Sequence, residues 1–304
     1  MSSLPIVQNG SIVNLGLVVS TLGRIDPLRR LLDSLDGELA PGDRVVIVAQ
    51  GRLAEVDALA RGYMERGLAV TVTTSERGAS LGRNVGVGAL GSGEYLLTFP
   101  NDTTWYPAGV LDRLREHADD IEAGALTIRD EHGPKFSLPP AGTALDRWNV
   151  WSVIEMGIVM RKSVFERLGG FDPSIGTGAA SPWQAGEATD LLLRLIATDA
   201  SLARGFVWLP PELSAGGVAD ARGLARAARR HKLRAYGRGL GRVVTRWRYP
   251  VWWRFAFVGG GLAFGLRHRP DYELLDGWWV FLGRLEGAMG RVLGRTVRTE
   301  AVSR

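Results

Sequence analysis

Between Ile12 and Phe99 the chain repeats one pattern: a short run of Val, Ile and Leu, then a longer stretch with apolar residues at helical spacing. The runs are Ile12 to Ser20 (IVNLGLVVS), Arg44 to Ala49 (RVVIVA), Ala69 to Thr74 and Glu94 to Phe99. Apolar runs of this length, rich in β-branched residues, read as buried strands. Leucines at 28, 31, 32 and 35, behind Pro27 at a favourable first-turn position, predict a helix, and Leu53 to Arg66 and Ser80 to Leu90 predict two more. This alternation specifies the α/β class, a mostly parallel sheet with flanking helices. It also places a site. Ligands of open α/β sheets bind at the carboxyl ends of the strands, so Thr21, Ala49 to Gly51 and Asn101 to Thr104 should meet around one crevice. Further on, the pattern predicts a helix over 107–118, strands near 124–129 and 156–161, a helix over 162–168, a Gly-rich loop at 169–186 and a helix from Glu187 to Ala197.

Composition narrows the chemistry. With no cysteine among 304 residues, a disulfide framework, a thiolate metal site and a Cys nucleophile are excluded, and four scattered His argue against a His-rich zinc site. Residues 1–14 lack the basic and apolar regions of a secretory signal, so the expected location is cytoplasmic. After Pro210-Pro211 the composition turns to Arg, Ala and Gly, then to Trp and Gly, which puts a boundary near Gly216. The expected organisation is a tail at 1–11, a catalytic domain at 12–215 and a basic, Trp-rich helical region at 216–304. That last region holds 18 Lys/Arg against 6 Asp/Glu, whereas the whole chain has a net charge of only +5. A basic tail beside an acidic body points to an anionic surface, phospholipid or nucleic acid. No reading helix or RNA platform is recognisable, so a nucleic-acid partner is not expected.

Four segments in fixed order resemble family 2 glycosyltransferases of the GT-A (Rossmann-like) fold, in particular those that build bacterial surface polysaccharides. They are VVSTLGRIDPLRRLLDSL (18–35), ERGASLGRNVGVGALGSGEYLLTFPNDTTWYP (76–107), FERLGGFDPSIGTGAASPWQAGEATDLLLRL (165–195) and HKLRAYGRGLGRV (231–243). The resemblance implies an inverting transfer from a nucleotide-diphosphate sugar to a lipid-linked glycan. It implies a donor site of Thr21 at the base or ribose, Gln50 where relatives often carry an Asp, Arg83 near the diphosphate, and Asn101, Asp102 and Thr103 at the position of the acidic metal motif. Taken alone, Thr21 reads as the cap of a turn, and Arg83 could be a solvated helix residue. Only Asp102 remains of the acidic cluster. One carboxylate with Asn101 and Thr103 makes a poor cage for Mg²⁺ or Mn²⁺, so any metal dependence should be weak.

Glu187 resembles the family's catalytic base, with Asp190 one turn on as the second candidate. Acids at i and i+3 in a first helical turn also complement the helix dipole without any catalytic role. Trp183 suits either stacking on a sugar or anchoring its loop. His231, Lys232, Arg234 and Arg238 present cations on one short stretch, which the resemblance assigns to the diphosphate of the acceptor; a solvated helix face is the alternative. Trp247, Tyr249, Trp252, Trp253, Phe255, Phe257, Trp278, Trp279 and Phe281, framed by arginines, fit helices lying in the headgroup layer on the inner face of the cell membrane, an ordinary core, or a homo-oligomer contact. The apolar run Phe255 to Leu266 is too short to span a bilayer. A rival reading is a non-catalytic, membrane-attached binding or scaffold protein, favoured by Asn101 and Ala188.

Overall fold

The computed structural model describes residues 13–218 and 223–294. The expected tail at 1–11 lies outside them. The first half alternates as the pattern predicts: β1 (Asn14–Thr21), α1 (Ile25–Leu35), β2 (Arg44–Ala49), α2 (Leu53–Met64), β3 (Val70–Thr74), α3 (Ala79–Ala89) and β4 (Tyr95–Thr98). Next come α4 (Val110–Glu116), β5 (Ala123–Ala125), β6 (Thr127–Asp130), β7 (Gly133–Pro134), β8 (Ile158–Arg161) and α5 (Lys162–Arg167). They are followed by α6 (Glu187–Thr198), α7 (Ala200–Arg204), β9 (Val207–Trp208) and β10 (Ser214–Gly216).

Seven strands form the main sheet in the order β3-β2-β1-β4-β8-β5-β9. β1 to β4 pair in parallel, while β8 runs antiparallel to β4 and to β5. The single strand expected near 124–129 is two: β5 stays in the main sheet and β6 joins a small sheet ordered β10-β6-β7. Alternate residues of β1 feed opposite faces, the strand period at work. Leu15, Leu17 and Val19 pack with α1, α2 and α4, whereas Val18 packs with α3, α5 and α6. Register brings Thr21, Ala49 and Thr74 level at the carboxyl edge.

The C-terminal region is helical: α8 (Arg226–Arg246), α9 (Val251–Gly259), α10 (Phe264–Arg267) and α11 (Asp276–Met289). It shares the core of the sheet domain, since Val243, Val244 and Tyr249 are buried with Leu191, Leu195 and Phe171. The buried Tyr249 donates its hydroxyl to the Arg147 carbonyl at 2.5 Å and accepts from Trp151 Nε1 at 3.1 Å. α8 and α11 lie in backbone contact. A Cβ added at Gly241 would overlap the Arg284 carbonyl, and one at Gly283 or Gly287 the carbonyls of Arg234 or Arg238. The tail's positive charge is partly answered locally. Arg229 and Arg230 pair with Asp276 at 2.8 and 3.2 Å, and Arg234 forks onto the buried Glu286.

Candidate active site

A cleft of about 2130 Å³ opens at the carboxyl edge of the sheet and continues under α8, α9 and α11. Its wall includes Gln50, Arg83, Asn101, Asp102 and Thr103 from the strand ends and Glu187 from the first turn of α6. The strand ends thus converge as the alternation predicts. Several of these polar groups are tied to neighbours. Gln50 Nε2 donates to Ser75 Oγ at 3.0 Å and to the carbonyls of Glu76 and Gly78 at 2.8 Å each, so its amide holds the β3–α3 loop. Thr103 donates to the Gly217 carbonyl at 2.6 Å. Thr21 is buried behind the wall and donates to Asp102 Oδ2 at 2.8 Å, which makes it a support for Asp102.

At the centre is Arg83, on α3 and 1% exposed. Its Nη2 donates to Asn101 Oδ1 at 2.8 Å and faces Glu155 Oε1 at 3.4 Å. Nη1 stands 3.6 Å from Glu187 Oε1, and neither Nη1 nor Nε has a hydrogen-bond partner among the described residues. Glu187 is itself buried, beside a loop that can pass so close only because Gly176, at φ +118°, has no side chain: a Cβ there would stand 3.2 Å from Glu187 Cδ. Burial, and then the negative charge of Glu155, push the Glu187 carboxyl up to about 7 against the pull of Arg83. A buried carboxyl facing a cleft with its pKa moved to neutrality can accept a proton there.

Other expected site residues lie elsewhere, each for a visible reason. Asp190 is fully buried on the inner face of α6, accepting from Trp247 Nε1 at 2.9 Å and Arg194 Nε at 3.1 Å, so it is a structural anchor. Trp183 packs against the core under Arg242, whose guanidinium lies 5.6 Å from the ring centre; it holds its loop and does not line the cleft. Arg234 turns to Glu286 and the Leu293 carbonyl, away from the cleft. His231, Lys232 and Arg238 do line it, joined by Arg267 and Arg284. Burial, followed by the neighbouring Arg267, lowers Arg284 to about 10. The aromatic group divides: Tyr249 is core, Trp253 and Phe257 pack partly buried against it, and Trp252, Phe255 and Trp278 are exposed.

No family model and no curated protein matches the sequence. Solved structures do resemble the chain. TarS 1–349 of S. aureus in complex with UDP aligns with a TM-score of 0.54 at 13% identity, covering 93% of each chain. Its complex with UDP-GlcNAc gives 0.53 at 12% identity over the same shares. The mannosyltransferase PcManGT from Pyrobaculum calidifontis in complex with GDP-Man and Mn2+ gives 0.52 at 14% identity, covering 91% of this chain and 74% of that one. The chain shares the fold of these proteins. At such identities the likeness is one of architecture, and activity must be argued from the site.

The position of the acidic metal motif, expected to be a poor cage for a divalent cation, has its side chains committed to other partners and does not fit one. Both oxygens of Asp102 are engaged: Arg24 Nε donates to Oδ2 at 3.0 Å, Arg24 Nη2 pairs with Oδ1, and Thr21 shares Oδ2. Asn101 is held between Arg83 and Glu155, and Thr103 by Gly217. Among the described residues no three His, Asp or Glu side chains form a metal-ligand group. A hard divalent ion needs several oxygen ligands and would have to displace the Arg24 fork from a buried carboxylate. Sequence reading missed Arg24, Glu155, Arg267 and Arg284. Arg24 was within reach, three residues beyond Thr21 in the first matched segment; Glu155 begins a single 3-10 turn, Glu155–Gly157, too short for a periodic signal.

Proposed function

We propose that this chain is an inverting glycosyltransferase, moving a sugar from a nucleotide-diphosphate donor to a hydroxyl of a lipid-linked glycan in the assembly of a cell-surface polysaccharide or glycolipid. The observation that carries the reading is Glu187, a carboxyl brought to neutrality at the centre of the cleft of a glycosyltransferase fold. TarS with UDP and UDP-GlcNAc, and PcManGT with GDP-Man, support a nucleotide-sugar donor. Glu187 takes the proton of the acceptor hydroxyl as that oxygen attacks the anomeric carbon. The bond from that carbon to the diphosphate breaks, its electron pair leaves with the nucleotide, and configuration inverts. Arg83, with two buried nitrogens, Nε and Nη1, free of hydrogen bonds beside the base, orients Glu187 and favours its charged form before the proton moves.

The far end of the cleft supports an anionic acceptor. Lys232, Arg238, Arg267 and Arg284 face it together with Trp253 and Phe257, a cationic bed with an aromatic side that suits a diphosphate on an apolar chain. Exposed Val251, Trp252 and Phe255 on α9, and Leu274, Leu275 and Trp278 at the start of α11, support peripheral attachment to the inner face of the cell membrane. No helix among the described residues is long and apolar enough to cross a membrane. The test is a panel of nucleotide sugars given to the purified protein with lipid extracts as acceptor, the anomeric configuration of the product being read by NMR. Transfer with retention, or binding without turnover of every donor, would remove the inverting reading.

A further inference from the structure

We infer that Arg24 is the cation that receives the donor diphosphate, with Asp102 as the residue that positions it, in place of a divalent metal ion. The inference rests on the nucleotide-sugar reading of the cleft. Arg24 occupies the N-cap position of α1, just past the carboxyl end of β1, makes no capping bond with its side chain, and lines the cleft beside Asp102 and Arg83. Its fork onto Asp102 occupies Nε and one edge of Nη2, which leaves three of a guanidinium's five N–H donors without an Asp102 oxygen. The pair is lopsided. The Asp102 side chain is 4% exposed and that of Arg24 54%, so a buried carboxylate fixes an open guanidinium in one orientation.

Such a group matches the paired oxygens of a diphosphate and loses little side-chain freedom on binding, since Asp102 has already ordered it. Thr21 holds the same carboxylate from behind. This arrangement accounts for a motif with one acid. Asn101 and Thr103 would be poor ligands for a metal, but they serve here to brace Arg83 and the segment at Gly217, while a single carboxylate suffices to hold Arg24. The same carboxylate cannot fork with Arg24 and ligate a divalent ion through both oxygens.

The test is calorimetric titration of the full chain with UDP, GDP, dTDP and inorganic pyrophosphate, each in EDTA and in excess Mn2+. Pyrophosphate and at least one nucleotide are expected to bind in EDTA with affinities within about threefold of those in Mn2+, and Arg24→Gln is expected to weaken both by about tenfold or more. Because Arg24→Gln leaves Asp102 buried without its partner, the double variant Arg24→Gln/Asp102→Asn is measured beside it. That pair removes both charges together, and it too should lose pyrophosphate binding. Affinity that rises about tenfold with Mn2+, or pyrophosphate binding unchanged in the double variant, would overturn the inference. Pyrophosphate binding without binding of any nucleotide would leave Arg24 as an anion site and remove the nucleotide-sugar reading; binding of neither in EDTA would remove the assignment of Arg24.

Discussion

Glu187 Oε1 stands 3.6 Å from Arg83 Nη1, while Nη2 of the same guanidinium faces Glu155 Oε1 at 3.4 Å. Two carboxylates therefore share one buried cation. Arg83 cannot fully compensate both, and burial, followed by the charge of Glu155, keeps the proton on Glu187 to higher pH. Glu155, with 22% of its side chain exposed, retains contact with solvent; Glu187, 7% exposed, does not.

A base must be unprotonated to act, so turnover should rise with pH through about 7 and level off above it. Glu187→Gln should lower kcat by roughly a hundredfold to ten-thousandfold and abolish that limb. Stability should move the opposite way. The folded value lies above the ordinary 4.5, so the contribution of protonated Glu187 is complete below about 4.5 and is lost as pH rises through about 7. Melting temperatures of wild type and Glu187→Gln between pH 5 and pH 8 check this: the slope should flatten in the variant.

Glu155→Gln removes the like charge next to Glu187. The acid limb of the kcat/KM profile should then shift to lower pH, because Arg83 is left to serve Glu187 alone. The measurement is the same pH series on the variant. A limb that stays in place would assign the raised value to burial by itself.

The strand ends that frame this centre were legible because buried parallel strands are written as continuous apolar runs, and the fold then delivers their carboxyl ends to one edge. Glu187 was legible from its segment. Glu155, the other carboxylate at Arg83, was not, since a contact between residues 72 apart leaves no periodic trace and a single 3-10 turn is too short for one. Asp190 and Trp183 misled for a related reason. Both have chemistry suited to a site, and only packing reveals that Trp247 and Arg194 occupy the first while the core and Arg242 enclose the second. The arginines of α8 look alike in sequence; their fates depend on which face meets Asp276 and Glu286 of a helix some 50 residues away. Strands as short as β9 and β10 carry too few residues for a pattern.

The α8–α11 contact gives a test of the C-terminal fold. Gly283→Ala would place a methyl against the Arg234 carbonyl, where only movement of a whole helix makes room. Overpacking of this kind costs about 1–3 kcal/mol, enough to lower the melting temperature by several degrees. Gly88→Ala on α3, where nothing lies within 4 Å, should instead stabilise by about 0.5–1 kcal/mol through helix propensity. Thermal unfolding of the two variants checks both signs. Equal effects would mean that the helices are not in backbone contact.

The last prediction concerns the exposed aromatics. Trp252, Phe255 and Trp278 expose 63%, 75% and 51% of their surface, whereas Trp253 is partly buried and packs against Tyr249 and Phe257. The tail's tryptophans therefore do different work: Trp253 supports the cleft wall, and the exposed residues are available to a lipid surface. Full burial of a large apolar side chain is worth about 1.5–3 kcal/mol, and each Lys/Arg near anionic lipid adds on the order of 1 kcal/mol. Three inserted side chains with Arg248 and Arg254 beside them are enough for reversible attachment. Flotation on liposomes containing anionic lipid should accordingly be strong for the intact chain. It should weaken with neutral lipid, and fall by about tenfold or more in Trp252→Ser/Phe255→Ser/Trp278→Ser. That triple variant gives up only the ring contacts of Trp252 with Trp148 and Trp253 and of Trp278 with Phe281, so its melting temperature should fall less than that of Trp253→Ser, which removes a partly buried ring from the core. Equal flotation of the wild type and the triple variant would assign the exposed aromatics to another partner, and the acceptor would then be sought in solution.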